Sequence, residues 1–254
     1  MKLSMGQKAF TFFKGYISLL KVINDELTLQ VDDTGITVMG MDPSHVAMID
    51  SKLKAELFDE FSAPDDGTKI TLNLGEFSKF LDRIGKDETV KIDYDADKAK
   101  VFIATRTSGR NRRFSLSVLE PLEEEIPKPK IFFKSSARIL TQSVERAIKD
   151  AGLVSEWIRM AVEGETLKLD ARGDMGSASN EFTKDSDEIL ELKSEEDSSA
   201  AYTLSYLADI FGQIKGIADV VTLELATDMP VKIQVEPNNT NLEVTLYLAP
   251  MIGV

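Results

Sequence analysis

A single histidine, His45, stands in the 254-residue chain, inside the run "DPSHVAMID" from Asp42 to Asp50. Imidazole is the usual general base near neutral pH and a common metal ligand. A Ser-His-Asp triad, however, needs a carboxylate behind the ring and a hydroxyl in front of it. Asp42, Ser44 and His45 are too close in sequence to reach that geometry among themselves, and no spacing marks remote partners. "DYDADK" (Asp93 to Lys98) begins like a calcium loop, but Lys98 stands where the sixth-place glycine belongs and Ala104 where the twelfth-place acid belongs. It reads instead as a solvated hairpin turn. The absence of cysteine removes thiolate catalysis, disulfides and cysteine zinc sites. Carboxylates are plentiful, which leaves a carboxylate-based hydrolase on a β-rich scaffold as an alternative, yet no spacing points to one. The expectation is a protein that is not an enzyme and needs no cofactor, with His45 in a surface that something else uses.

The elements behind that surface come in two similar sets. "ITLNLGEFSKFLDRIGKDETVKIDYDAD" (70–97) and "YTLSYLADIFGQIKGIADVVTLELATD" (202–228) both run apolar strand, short helix, turn, alternating strand and Asp. "FSLSVLEP" (114–121) answers "EVTLYLAP" (243–250), and the stretches at 8–24 and 135–152 read as helices in matching places. Period-two alternation marks strands at Leu27, Leu29 and Val31, at Val90, Ile92 and Tyr94, at Ile158, Met160 and Val162, and at Val231, Ile233 and Val235. "EPLEEEIPKPK" (120–130), with three prolines and an acid run, suits an extended connector. The predicted organisation is therefore α+β: a domain at 1–119, a connector at 120–130 and a similar domain at 131–254, each with two helices on antiparallel strands. No run approaches the roughly 18 apolar residues of a membrane span, which together with the missing cysteines argues for a cytosolic protein without a membrane partner.

The net charge of −13 repels nucleic acid over the surface as a whole. The placement of the cations changes that expectation locally. On a wheel of about 3.6 residues per turn, Lys14 and Lys21 share one face of the first helix with Ser18, and Lys79, Arg83 and Lys86 repeat the spacing in the second. Arg146 and Lys149 follow it in the third, with Arg138 one turn earlier, and the fourth, from Ser205 to about Gly216, offers chiefly Lys215. If all four helices turn these faces the same way, an acidic chain still presents a locally positive surface. Lys and Arg without an accompanying Asn, Gln or aromatic pattern contact phosphates and do not read bases.

Together, "GITVMGMDPSHVAMID" (35–50), the connector with Ile126 and Pro127, "ATDMP" (226–230) and "LYLAP" (246–250) resemble the proliferating cell nuclear antigen family of DNA sliding clamps, in its archaeal form, essentially end to end. The resemblance implies a DNA-clamp fold, three subunits in a pseudo-sixfold ring around duplex DNA, and a non-enzymatic processivity factor acting at the nucleoid. Its implied partners are a clamp-loader ATPase and, through short peptide motifs, DNA polymerase, flap nuclease and ligase. The implied peptide pocket comprises Met41, His45, Val46, Leu122, Ile126, Pro127, Met229, Pro230, Tyr247, Ala249 and Pro250. The implied subunit edges lie at about 110–118 and 175–182, with Arg110, Arg112, Phe114 and Leu116 on one and Ser177 and Ser179 on the other. A homotrimer and one subunit of a heterotrimeric ring both satisfy the sequence.

Overall fold

The computed structural model describes residues 1–64, 67–121 and 126–253. The chain forms two units, one of residues 1–41, 49–126 and 239–243 and the other of 42–48, 127–238 and 244–254.

The first half runs β1 (Lys2–Met5), α1 (Gln7–Ile23), β2 (Glu26–Asp32), β3 (Gly35–Met41), β4 (Ala47–Lys54), β5 (Glu60–Ser62), β6 (Thr68–Asn73), α2 (Leu74–Leu81), β7 (Thr89–Asp95), β8 (Lys100–Thr107) and β9 (Arg110–Ser117). The second runs β10 (Ser135–Leu140), α3 (Thr141–Ala151), β11 (Trp157–Glu163), β12 (Thr166–Gly173), β13 (Gly176–Thr183), β14 (Ile189–Ser194), β15 (Ser198–Thr203), α4 (Leu204–Ile214), β16 (Val220–Leu225), β17 (Val231–Glu236) and β18 (Leu242–Leu248). The order of strands and helices is the same in both. So are the pairings: β5-β1-β7-β8-β9 answers β14-β10-β16-β17-β18, and β6-β2-β3-β4 answers β15-β11-β12-β13. The alternation of buried and exposed residues along β2, β8, β12 and β16 gives each of them one apolar face.

In the first unit α1 buries Phe10, Phe13, Tyr16, Ile17, Leu20 and Ile23 and packs beside α2. Phe13 meets Phe77 edge-on, with ring centroids 6.4 Å apart, and the Tyr16 hydroxyl shares a 2.9 Å hydrogen bond with Ser51. The α2 N-terminus is capped by Asn73, whose side chain accepts from the Glu76 amide at 2.8 Å. In the second unit α3 packs beside α4, and Val144, Ala147, Ile148, Leu207, Ile210 and Phe211 are buried.

Two helix boundaries differ from the sequence expectation. Helix α2 stops at Leu81, because the Arg83 and Ile84 amides turn back to Phe80 and Leu81 at 3.1 Å each, three-residue bonds that tighten and close the last turn. Arg83 and Lys86 therefore follow the helix and do not continue its stripe. Residues 135–140, read as helix, form β10, held on one side by β14 and on the other by β16. Burial of Ser135, Ala137 and Ile139 on one face, with pairing on both sides, overrides the local helical spacing. Arg138 is consequently a strand residue, and its guanidinium binds both carboxylate oxygens of Glu236 at 2.6 Å.

The run from Asp93 to Lys98 is a hairpin turn, in which Asp95 accepts from the Lys98 amide at 3.1 Å between β7 and β8.

Candidate functional site

Each helix pair carries cations on its exposed side, and each is stapled by a lysine. Lys14 of α1 reaches Asp82, just past α2, at 2.8 Å. In the second unit Glu145 of α3 accepts from Lys149 at 2.7 Å and from Lys215, at the end of α4, at 2.8 Å. Those two lysines, Lys149 first, hold the Glu145 carboxyl below its ordinary range. Lys79 pairs with Glu76 at 2.6 Å. Among the described residues Lys21, Arg83, Lys86 and Arg146 form no ion pair, and all four are exposed. The arrangement suits phosphate contact that is weak and blind to sequence, because several cations are already half-neutralised.

The run containing His45 has its own frame. Residues 42–48 belong to the second unit although they lie early in the chain. The Asp42 carboxylate, on a residue 4% exposed, accepts from the amides of Val46 and Ala47 at 2.6 Å each and of Ser44 at 3.0 Å. It also accepts from the Tyr206 hydroxyl of α4 at 2.7 Å. Burial works against the charge, but the bonds from Ala47, Tyr206, Ser44 and Val46 outweigh it and hold this carboxyl below the usual range. His45, exposed, takes a left-handed backbone with φ of 58°, unusual for a residue with a side chain.

Other members of the expected pocket gather in the same unit. The Ala249 amide donates to the Val46 carbonyl at 2.8 Å, bringing the C-terminal segment to the loop. Tyr247 stands opposite Lys232 on β17, close to Met229 and Pro230 in the chain. The hydroxyl of the buried Tyr202 donates to the Met229 carbonyl at 2.9 Å and fixes that turn. Met229 is 47% exposed, while Val46, Pro230, Tyr247, Ala249 and Pro250 are half-buried and Pro127 is exposed. Val46, Pro230, Tyr247, Ala249 and Pro250 are thus partly exposed apolar or aromatic groups of one unit, the chemistry against which side-chain anchors of a peptide can pack. Met41 and Ile126 fall in the other unit, and Leu122 lies outside the described residues.

The expected subunit edges are β9 and β13, each paired on one side only among the described residues. Their charges are opposite. Residues 106–118 hold Arg106, Arg110, Arg112 and Arg113 with no acid, whereas 174–188 hold Asp174, Glu181, Asp185, Asp187 and Glu188 against Lys184 alone. Arg112 is committed within its own subunit. Its guanidinium donates to Glu88 at 2.6 Å and to the Arg83 carbonyl at 2.8 Å, and lies 5.6 Å from the Phe114 ring. Arg110 is exposed, and Phe114 and Leu116 are half-buried on the Arg112 side of the strand. On β13, Ser177 and Ser179 are exposed, and Ser179 donates to Asp170 at 2.6 Å.

Sequence reasoning missed the grip of Asp42 and Tyr206 on the loop. The Asp-Pro opening of the motif hinted at a turn, but nothing tied it to a tyrosine in a distant helix. Among the described residues no three His, Asp or Glu side chains converge as a metal site, and no helix is long and apolar enough to cross a membrane.

Comparison with known proteins divides the chain into its two sequence halves. The sequence model described as "Proliferating cell nuclear antigen, N-terminal domain" matches residues 4–121, and the corresponding C-terminal model matches 128–251. A protein named DNA polymerase sliding clamp from Thermofilum pendens is 32% identical over 222 residues, covering 87% of this chain and 88% of that one. A protein of the same name from Methanococcus vannielii is 30% identical over 243 residues, covering 94% and 95%. The crystal structure of proliferating cell nuclear antigen from Thermococcus kodakaraensis shares the fold, with a TM-score of 0.88 at 24% identity over 98% of this chain and 99% of that one. With both halves matched in order and relatives of similar length aligned across most of the chain, the protein belongs to the proliferating cell nuclear antigen family.

Proposed function

We propose that the chain is a DNA sliding clamp: three copies close into a ring around duplex DNA and tether replication and repair enzymes to it without doing chemistry of their own. The observation that carries this is the recurrence, in both units of a chain with net charge −13, of a helix pair exposing lysine and arginine. The DNA-facing set is Lys14, Lys21, Lys79, Arg83, Lys86, Arg146, Lys149 and Lys215. Arg138, on β10 and bound to Glu236, is the weakest member. Tethering raises the local concentration of an enzyme that holds the clamp by a short peptide. Polymerase, flap nuclease and ligase are the expected clients, and an ATPase loader the means of opening the ring. The setting is the nucleoid, in the cytoplasm.

The docking surface comprises His45, Val46, Pro127, Met229, Pro230, Tyr247, Ala249 and Pro250, with Met41, Leu122 and Ile126 added on the family resemblance. Ring closure joins the basic β9 edge of one copy to the acidic β13 edge of the next. Both complementary edges on a single chain favour self-association over a requirement for unlike subunits, and two unpaired edges are a hazard that closure removes.

A double dissociation tests the proposal. Replacing Lys14, Lys79, Arg83 and Arg146 by Ala is expected to shorten retention on circular DNA and flatten its salt dependence, by a log–log slope of roughly 0.9 per lost phosphate contact, with peptide affinity unchanged. Val46→Ala with Tyr247→Ala is expected to weaken peptide binding by about 1–3 kcal/mol through lost apolar area, with DNA retention unchanged. Loss of both properties in either variant, or a chain that remains monomeric by light scattering at micromolar concentration, overturns it.

A further inference from the structure

We infer that Asp42 and Tyr206 are positioning residues for partner docking: together they set the shape of the loop that offers His45 and Val46. The inference rests on the docking role proposed above. Four donors converge on one carboxylate, three of them backbone amides of the loop itself, at 2.6, 2.6 and 3.0 Å. These bonds fix the peptide planes entering Ser44 and leaving His45, while the His45 amide itself donates to the Asp42 backbone carbonyl at 2.9 Å. They support a left-handed conformation at 58°, one that few residues with a side chain adopt. The fourth donor is different in kind. The Tyr206 hydroxyl, 2.7 Å from Oδ2, anchors the carboxylate to α4, an element whose neighbours Leu204 and Leu207 are buried. The loop is thereby referenced to a packed helix and not merely to itself. Val46 in turn offers its carbonyl to Ala249 at 2.8 Å, so an error in the Asp42 grip moves the C-terminal side of the docking surface as well.

The two oxygens are not equivalent, which makes the idea separable by substitution. Oδ1 serves Val46 and Ala47, and Oδ2 serves Ser44 and Tyr206. Tyr206→Phe removes only the tether to α4. Asp42→Asn keeps an acceptor at one position and places an NH2 against the Ser44 amide at the other, so it damages the loop directly. Tyr16→Phe is the control, because it breaks another tyrosine hydroxyl bond, the more deeply buried one to Ser51 in the first unit, without touching the loop.

The experiment uses the full-length chain and a synthetic peptide bearing a leucine and a phenylalanine on one helical turn, with affinity read by calorimetry. Tyr206→Phe is expected to weaken binding about five- to tenfold and Asp42→Asn about thirtyfold. The double variant should be little weaker than Asp42→Asn alone, since the carboxylate is the tyrosine's main partner and the Ser44 hydroxyl a lesser one. Amide exchange at Ser44, Val46 and Ala47 should quicken in Tyr206→Phe and stay unchanged in Tyr16→Phe, whose peptide affinity should equal that of the unmodified chain. Equal affinity of the unmodified chain and Tyr206→Phe, or additive losses in the double variant, overturns the positioning role while leaving the docking surface standing. Failure of the unmodified chain to bind the peptide overturns both.

Discussion

Between β3 and β4 the chain spends five residues, Asp42 to Val46, and between β12 and β13, the same step of the second half, it spends two, Asp174 and Met175. Both connections begin with aspartate. The first turns its carboxylate inward, nearly buried, to gather three loop amides and a tyrosine. The second leaves Asp174 and Met175 in solvent, Met175 at 95% exposure. The strands on either side follow one plan because their pairing and apolar alternation fix it. The connections are bound by neither constraint, and there two copies of one architecture diverge. The free edges diverge likewise, β9 basic with a half-buried ion pair beneath it and β13, with Glu181 and acidic flanks, carrying an exposed serine–aspartate bond.

The largest expected effect breaks the difference between those edges. Glu88→Ala leaves the Arg112 guanidinium, 19% exposed, without its carboxylate, and about 2–3 kcal/mol of stability should be lost in denaturant unfolding. Asp170→Ala, which frees only an exposed serine beside the β13 edge, should cost less than about 1 kcal/mol. Equal costs would dissolve the contrast.

A smaller effect sharpens the comparison at the strand ends that feed the two connections. A Cβ placed on Gly173 would meet the Val154 carbonyl oxygen at 1.8 Å, and one on Gly40 would meet a Leu27 methyl at 2.3 Å. Backbone cannot step aside, whereas a side-chain tip can turn. Gly173→Ala should therefore destabilise by about 2 kcal/mol and Gly40→Ala by about 1 kcal/mol, measured as paired thermal melts, and the reverse order would refute the assignment of rigid and yielding neighbours.

The smallest effect is on acid sensitivity. The native Asp42 carboxyl lies below the ordinary value of about 3.9, so the unfolded chain binds the proton more readily. Its contribution to stability is complete above about pH 4 and is lost as pH falls through the native value. The melting-temperature gap between the unmodified chain and Asp42→Asn should narrow from about pH 7 towards about pH 3. A gap that does not change with pH would mean that the carboxylate charge contributes nothing to the loop.

Much of this was legible in the residues. Alternation at Leu27–Val31 and Val231–Val235, and the duplicated order of strand, helix and turn, follow from local pattern and survive in the fold. The expected docking residues came from motif resemblance, not from geometry. What the sequence withheld was decided by distant contacts. Residues 135–140 carry a helical spacing that two flanking strands override. Arg83 and Lys86 continue a stripe on paper, yet the chain has already closed its helix. Arg112 looks outward from "GRNRRF" until Glu88, 24 residues earlier, claims it. Tyr206 is 164 residues from Asp42, and only folding makes them neighbours.

The unlike edges have a geometric consequence. Copies that join cation-bearing strand to anion-bearing strand meet front to back, with no two-fold axis across the seam. In the ring proposed above, every repetition of that contact preserves orientation, so all the His45 loops would hold the same attitude to the ring axis. A ring closed in that way would have a heading, because without a two-fold axis across the seam turning it over is not the same as leaving it alone.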